Sequence, residues 1–190
     1  MEENSLVGET FVILVDENDN PIGLMEKMEA HRKACLHRAV SVFVLNSQGD
    51  WILQRRAFNK YHSNGLWSNT CCSHPFPNES SLAAANRRLT EEMGIDCQLT
   101  EVFSFKYKEI LDNELTEHEF DHVFVGVSDE FPRMNQNEVV ECKVISYGDL
   151  HLDVISNPDS YTIWFKKLYE RVGMYVLDRQ LDNSEIVFLR

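Results

Sequence analysis

The segment covering residues 73–95 constrains the fold more than any other part of this 190-residue chain. Apolar residues recur there at steps of three and four, which is the spacing of one face of an α-helix. The residues of this stripe are Leu82, Ala85, Leu89 and Met93. Ser80 or Ser81 can cap the start of the helix, and Gly94 can end it. We therefore expect a helix over residues 80–93.

Short β-rich stretches fill most of the remaining sequence, and turn signals separate them. The predicted strands cover residues 11–15, 22–26, 38–45, 51–56, 66–74, 102–110, 118–127 and 139–147. Residues 38–45 are almost continuously apolar, as a strand buried on both faces would be. A second helix is expected around residues 158–171, and residues 173–190 are a candidate C-terminal tail. No repeat or linker interrupts the pattern, so residues 1–190 are expected to form one α+β domain.

The net charge of −13 limits the binding partners that this protein is expected to have. Nucleic-acid and anionic-membrane binders need clustered Lys and Arg, which argues against both partners here. The charge is uneven, because residues 31–60 carry six basic residues against one acid, whereas residues 99–160 sum to −10. We therefore expect an acidic protein with one basic window, suited to a small anionic ligand.

The first residues and the cysteines indicate a cytoplasmic protein. The start, MEENSLVGET, lacks the basic and apolar regions of a secretory signal. The longest apolar runs are about five residues, far shorter than a membrane span. The five cysteines are an odd number and include no C-x-x-C pair, so neither a disulfide framework nor a zinc ribbon is indicated.

The charged residues of the first predicted helix allow two interpretations. On a solvated helix face, Arg87 and Arg88 would form i,i+4 ion pairs with Glu91 and Glu92. The spacing also resembles the Nudix box, G-x5-E-x7-R-E-U-x-E-E-x-G-U with U aliphatic, whose carboxylates gather divalent cations against a diphosphate. Two positions differ, since Ser73 replaces the glycine and Arg88 replaces the first glutamate after the arginine. A cation at Arg88 suits holding a diphosphate better than cleaving it.

The stretch NTCCSHP, residues 69–75, combines thiol and imidazole groups. Side chains alternate between the faces of a strand, so Cys72 and His74 point to one side and Cys71 to the other. A free cysteine is usually a small buried hydrophobe, and this interpretation suits Cys71. Cys72 instead shares its face with a possible metal ligand.

The stretch EHEFDHV repeats this alternation with carboxylates. Glu117 and Glu119 are expected on one face of a strand, with His118 and His122 on the other. An exposed edge strand with its polar residues in solvent is the alternative. His31 and His37 flank the start of the basic window, and nothing local decides their role.

Several short motifs together closely resemble one family, the type 1 isopentenyl-diphosphate isomerases. They are NTCCSHP, EHE before a strand, EKM-E-A-H in the N-terminal region and LHRA, and the resemblance runs from about Phe11 to about Lys167. It implies a Nudix-like α/β/α sandwich with a mixed sheet and flanking helices. It also implies interconversion of isopentenyl and dimethylallyl diphosphate in isoprenoid biosynthesis, with a small isoprenoid diphosphate as the partner. We expect a monomer or weak dimer.

The resemblance assigns roles to individual residues. Those implied to bind a divalent metal (Mg²⁺, Mn²⁺ or Zn²⁺) are His31, His37, His74, Glu117 and Glu119. Those implied to contact the diphosphate are Lys27, Arg56, Lys60 and Arg88, with Glu92 holding a second Mg²⁺ there. The implied catalytic residues are Cys72, Glu119 with its neighbour Tyr107, and Trp164 over the isoprenoid tail.

The implied reaction explains why these residue types are needed. Protonation of an unactivated alkene gives a tertiary carbocation, and loss of a neighbouring proton gives the product, so two proton-transfer groups are required on opposite faces of the substrate. A near-neutral pKa would suit the Cys72 thiol, and the π face of Trp164 would stabilise the cation. No redox step occurs, so no flavin or nicotinamide is implied.

Two other functions remain open at this point. One is a Nudix hydrolase of a nucleoside diphosphate derivative, which would have no use for Cys72 and would need a carboxylate in place of Arg88. The other is a catalytically inactive Nudix-like module that binds a ligand or a partner protein.

Overall fold

A mixed β-sheet lies at the centre of the computed structural model, which describes residues 10–111 and 113–181. Its strands are β1 (Phe11–Val15), β2 (Pro21–Glu26), β3 (His37–Leu45), β4 (Trp51–Arg56), β5 (Trp67–Ser68), β6 (Cys71–Ser73), β7 (Leu99–Ile110), β8 (Thr116–Val127) and β9 (Val139–Ile145). The α-helices in these residues are α1 (Lys27–Arg32), α2 (Ser81–Met93), α3 (Tyr147–Ser156) and α4 (Ile163–Leu181), and a 3₁₀ turn, Pro158–Ser160, precedes α4.

Strand β3 connects most of the sheet. It runs parallel to β8 over its whole length, from the pair His37–Glu119 to the pair Leu45–Val127. It also pairs antiparallel with β1 at His37, with β6 over residues 40–42 and with β4 over residues 44–45. This central position confirms the predicted burial of residues 38–45, and it explains their nearly continuous apolar run.

Helices cover both faces of the sheet, which confirms the expected α/β/α sandwich. Val40, Val42 and Val44 of β3 pack with Leu89 and Met93 of α2 on one face. The residues that alternate with them face the other core, which includes Phe43 and Leu45 of β3, Leu150 of α3, and Phe165 and Leu168 of α4.

Helix α2 has the caps that the sequence predicts. The Ser80 side chain accepts a hydrogen bond from the Ala83 amide, and Gly94 ends the helix with a φ of 63°. The predicted apolar stripe needs one correction, since Leu82 is 45% exposed. Ala84 is buried, although it lies outside the predicted stripe.

Other elements differ from the sequence prediction. The single strand expected over residues 66–74 is two short strands, β5 and β6, and helices α1 and α3 were not predicted. The helix expected around residues 158–171 begins at Ile163 and continues past Gly173 to Leu181. At Gly173 a Cβ would collide with the ring of Tyr147, so glycine allows α3 and α4 to approach closely. The remainder of the candidate tail, residues 182–190, lies outside the described residues.

None of the helices in the described ranges is long and apolar enough to cross a membrane.

Candidate active site

A pocket opens beside β3, where β6, β8, the loop between β4 and β5 and the start of α4 meet. Its empty volume, including the open mouth, is about 510 Å³. The lining residues are Lys27, Val40, Ser41, Arg56, Lys60, Tyr61, His62, Cys72, Ser73, His74, Arg88, Glu92, Tyr107, Glu117, Glu119 and Trp164.

Strand β8 places two carboxylates inside this pocket. Glu117 and Glu119 are only 3% and 7% exposed, and both line the pocket. On the opposite face, His118 contacts the Ala34 carbonyl oxygen and His122 lies 3.0 Å from a carboxylate oxygen. The predicted alternation is therefore confirmed. The alternative of an exposed edge strand is wrong, because β8 lies between β3 and β7.

Three histidines converge on Glu119. The coordinating atoms of His31, His37, His74 and Glu119 all lie within 4.8 Å of one another. Nδ1 of His31 donates to the Lys27 carbonyl oxygen at 2.7 Å, and Nδ1 of His37 donates to the Cys35 carbonyl oxygen at 2.9 Å. A carbonyl oxygen can only accept, so in the neutral rings both Nε2 atoms present their lone pairs to the centre of the cluster.

The donor atoms fit a divalent cation. Nε2 of His31 and Oε2 of Glu117 are buried 3.5 Å apart, and neither has a hydrogen-bond partner. Nε2 of His37 lies 3.2 Å from Nε2 of His74. Buried polar groups normally have partners, so this arrangement of nitrogen and oxygen atoms suits a cation among them.

The charge states of the cluster follow from burial and from neighbouring groups. The nearby carboxylate of Glu117 raises the pKa of His31, although burial opposes it. Burial, reinforced by the positive charge of Lys27, holds the pKa of His74 well below its usual value. Burial would raise the pKa of Glu119, but neighbouring hydrogen-bonding groups, His37 first among them, lower it to about 2. Glu119 is therefore an anion at neutral pH.

Tyr107 forms a pair with Glu119. Its hydroxyl donates to Oε2 of Glu119 at 2.7 Å, while Oε1 of the same carboxylate lies 3.0 Å from Nε2 of His74. Burial and the nearby carboxylate charges raise the pKa of Tyr107 well above its ordinary value. The phenol therefore keeps its proton and fixes the orientation of the carboxylate.

The two adjacent cysteines lie in different environments. Cys71 is fully buried in the core under α2, whereas Cys72 lines the pocket with its Sγ 3.9 Å from a guanidinium nitrogen of Arg56. Burial raises the pKa of Cys72 to about 12, despite the opposing charge of Arg56. Burial outweighs the charge of Arg56, so the thiol is protonated and its pKa lies above the near-neutral value that would suit it.

Trp164 forms an aromatic wall of the pocket. Its Nε1 donates to Oγ of Ser68 at 2.9 Å, which fixes the indole orientation. The Arg56 guanidinium lies 5.1 Å from the ring centroid, within the range of a cation–π contact. The indole is therefore oriented by Ser68, and one of its π faces lies against the Arg56 guanidinium.

The four predicted diphosphate contacts all line the pocket. Lys27 lies 5.0 Å from the centroid of the Tyr61 ring, and Lys60 pairs with Glu138. Arg88 forms the predicted i,i+4 ion pair with Glu92 at 2.6 Å. The basic residues thus surround the pocket with their charges partly balanced by carboxylates.

Glu92 lies in the same pocket but outside the histidine cluster. Its Oε1 pairs with Arg88, and its Oε2 accepts a hydrogen bond from Gln54 at 2.9 Å. Both carboxylate oxygens therefore already have partners. The contribution of Gln54 was not predicted, since a glutamine inside a buried strand carries no local signal of function.

Comparisons with known proteins show the family of this chain. A family model described as NUDIX domain matches residues 36–171. A Pectobacterium atrosepticum protein named isopentenyl-diphosphate Delta-isomerase is 50% identical over 166 residues, which cover 87% of this chain and 93% of the relative. Isopentenyl-diphosphate Delta-isomerase 2 of Aromatoleum aromaticum is 52% identical over 161 residues, 85% of each chain. The chain belongs to the isopentenyl-diphosphate Delta-isomerases of the NUDIX family.

A solved structure shares the fold of this isomerase-family chain at lower sequence identity. The crystal structure of a Deinococcus radiodurans protein matches with a TM-score of 0.69 and 20% identity, over 85% of this chain and 98% of that one. This likeness supports the NUDIX architecture.

One buried imidazole of this isomerase-family site was not predicted. His62 lies in the loop between β4 and β5, and its Nε2 is 3.2 Å from Oε1 of Glu117. With His31 and Glu117 it forms a second group of closely spaced metal-capable atoms. Burial lowers the pKa of His62 to about 3, so the ring is neutral. A lone histidine in a loop gives no periodic signal, so only the structure reveals its position.

Proposed function

We propose that this chain interconverts isopentenyl diphosphate and dimethylallyl diphosphate. The observation that carries the proposal is the presence of Cys72 and the Glu119–Tyr107 pair in one pocket. Cys72 comes from β6 on one side of β3, and the pair comes from β8 and β7 on the other side. A protonated thiol and an ionised carboxylate form a proton donor and a proton acceptor. These are the two functions that a double-bond shift requires.

The chemistry balances without a redox partner. One C–H bond forms at the terminal alkene carbon and leaves a tertiary carbocation on the adjacent carbon, and one C–H bond then breaks at the methylene carbon on the other side of the cation. One side of the pocket loses one proton and the other side gains one, so the reaction consumes no net proton. Because the reaction is reversible, Cys72 and the Glu119–Tyr107 pair exchange roles between the two directions. The π face of Trp164 would stabilise the cation by about 2 kcal/mol in a dry pocket.

The basic residues of the pocket support binding of a diphosphate. Lys27, Arg56, Lys60 and Arg88 are the proposed contacts, and Lys60 and Arg88 now share the carboxylate of Glu138. A diphosphate would replace that carboxylate as their partner. In this proposal Glu92 holds a second Mg²⁺ with the diphosphate, which requires Arg88 to release it.

The histidine and glutamate cluster would hold a divalent cation. The proposed ligands are His31, His37, His74, Glu117 and Glu119. The bound cation would supply positive charge that stabilises the ionised form of Glu119 and orders the surrounding side chains. Mg²⁺, Mn²⁺ and Zn²⁺ are all compatible with these nitrogen and oxygen donors.

We also propose a cytoplasmic setting, a monomer or weak dimer, and no nucleic-acid or membrane partner. The net charge of −13 supports the absence of polyanionic partners. The five cysteines are all free, as in a reducing compartment.

Incubation with isopentenyl diphosphate and Mg²⁺ tests the proposed reaction. We expect dimethylallyl diphosphate as the product, with no release of phosphate or pyrophosphate, because the chain provides proton-transfer groups in the pocket. The products are identified by NMR or by chromatography coupled to mass spectrometry. Release of phosphate would instead support a Nudix hydrolase, and binding without turnover would support an inactive module.

A further inference from the structure

His62 is a buried histidine for which the proposed reaction has no role. It is 3% exposed and lines the pocket, yet it is not among the ligands that the family resemblance implies. Its ring lies against the rings of His31 and Trp164, with centroids 6.1 and 5.7 Å away. It therefore lies between the proposed metal site and the aromatic wall.

His62 and Glu117 form a close polar contact. Nε2 of His62 lies 3.2 Å from Oε1 of Glu117, a distance at which two facing lone pairs would repel each other. The tautomer with its proton on Nε2 is therefore favoured, and its Nδ1 can accept from the Ser63 hydroxyl, which lies 3.3 Å away. This tautomer leaves no lone pair of His62 directed at the histidine cluster.

The second oxygen of Glu117 then has a fixed direction. While Oε1 lies against Nε2 of His62, Oε2 is buried without a hydrogen-bond partner and lies 3.5 Å from Nε2 of His31. Rotation of the carboxylate would break the contact with His62, so this contact opposes the rotation. The free oxygen of Glu117 thus remains beside the unpartnered nitrogen of His31.

We propose that His62 is a positioning residue that holds Glu117 in the orientation needed to bind the divalent cation. The inference rests on the proposed metal site and adds a residue to it. Partners that orient metal ligands from outside typically change metal affinity by about 10- to 100-fold when they are removed. We expect an effect of that size at His62.

The loop that carries His62 is anchored by its main chain, which makes the side chain replaceable. The carbonyl oxygens of His62 and Ser63 accept hydrogen bonds from the Arg56 guanidinium at 3.3 and 3.2 Å. Neither contact involves the imidazole. A ring substitution at His62 is therefore expected to leave the loop in place.

Two variants separate the effect of the N–H donor of His62 from the effect of its side-chain volume. His62→Phe fills the space without a donor, whereas His62→Gln keeps an N–H that can reach Glu117. We expect chelator-treated His62→Phe to bind Mn²⁺ about 10- to 100-fold more weakly than the parent protein by titration calorimetry. His62→Gln should recover most of the affinity. His151→Gln, on α3 and outside the pocket, is the matched control and should bind as the parent does.

Three outcomes decide against the proposal. Unchanged Mn²⁺ affinity in His62→Phe would mean that the imidazole only packs, and equal losses in the Phe and Gln variants would mean that it coordinates the cation itself. If His62→Phe does not fold by circular dichroism, His62→Asn, Glu117→Gln and their double variant take its place, and additive losses of affinity would then exclude coupling through Glu117. The binding measurement contains no substrate, so its result can be interpreted even if the parent protein fails to isomerise isopentenyl diphosphate.

Discussion

Cys71 and Cys72 show how strongly the environment of a side chain can differ between two consecutive residues of a strand. Alternation on β6 directs the first thiol into the core beneath α2 and the second into the pocket. The sequence was sufficient to predict these directions. The pKa of Cys72 was not predictable, because the desolvation that raises it depends on chain segments far away in the sequence.

The cysteine pair provides a matched test of the catalytic assignment. Cys72→Ala should reduce the isomerisation rate by about 100- to 10,000-fold, because it removes one of the two proton-transfer groups. Cys71→Ala should retain most of the rate and lose about 1 kcal/mol of unfolding free energy, since it removes a small buried group. Steady-state rates and urea denaturation measure the two effects. Equal losses of activity in both variants would contradict the assignment.

At the scale of secondary structure, hydrophobic periodicity predicted the long strands and helix α2 well. The interruptions caused by side-chain hydrogen bonds to the backbone could not be predicted from it. Helix α2 and the long strands follow their periodicities. The single strand expected over residues 66–74 is interrupted because the side chains of Asn69 and Thr70 bond to main-chain groups of β3 and β4. Competition of this kind is invisible in an apolar pattern.

The two helices that the sequence did not predict have weak apolar patterns. Helix α1 has six residues and is capped by the Glu26 side chain, which accepts from the amides of Met28 and Glu29. Helix α3 buries only Leu150 and Val154. Helices this short, with so few buried positions, are stabilised by capping and tertiary contacts rather than by a strong periodic stripe.

The junction between β9 and α3 depends on one carboxylate, Asp153. It accepts hydrogen bonds from the Tyr161 hydroxyl at 2.5 Å, from the Asn157 amide at 2.8 Å and from the Lys143 ammonium at 3.0 Å. The bonds from Tyr161, Asn157 and Lys143, in that order, lower the pKa of Asp153 to about 2. The ionised carboxylate therefore stabilises the folded state.

Asp153→Asn should lower the unfolding free energy by about 1 kcal/mol at pH 7. The full pKa shift would correspond to about 2.5 kcal/mol, and solvent screening of this one-third exposed side chain reduces it. Because the folded pKa lies below the unfolded value of 3.8, the stabilisation is complete above pH 4 and is lost as the pH falls towards 2. Urea denaturation from pH 7 to pH 3 should show the difference between parent and variant shrinking only below pH 4.

Asp178→Asn, at an exposed position of α4, is the control for this experiment and should change stability little at any pH. A difference between the parent and Asp153→Asn that stays constant down to pH 3 would show that the carboxylate charge does not stabilise the junction.

At the scale of the whole molecule, the candidate site depends on long-range pairing. Its proposed ligands come from α1, the start of β3, the residue after β6, and β8. Parallel pairing of β3 with β8 places His37 opposite Glu119, 82 positions further along the chain. Pairing between such distant segments could not be deduced from composition or periodicity. The resemblance to a known family pointed to the ligands, and only the structure shows that His62 lies beside one of them, Glu117.

A cation at this site would cross-link four separate elements, so metal removal should lower the stability of the whole domain. At a metal concentration 100 times the Kd, binding contributes about 2.7 kcal/mol, which corresponds to a rise in Tm of about 5–10 °C for a domain of this size. We expect Mn²⁺ to produce this rise in chelator-treated protein, measured by differential scanning calorimetry.

Glu117 raises the pKa of His31 above 6.5, so protons compete with the cation and the rise in Tm should be smaller at pH 5.5 than at pH 7.5. His31→Gln should lose most of the rise, and the control His151→Gln should keep it. An equal rise in Tm for both variants would place the bound Mn²⁺ outside this cluster.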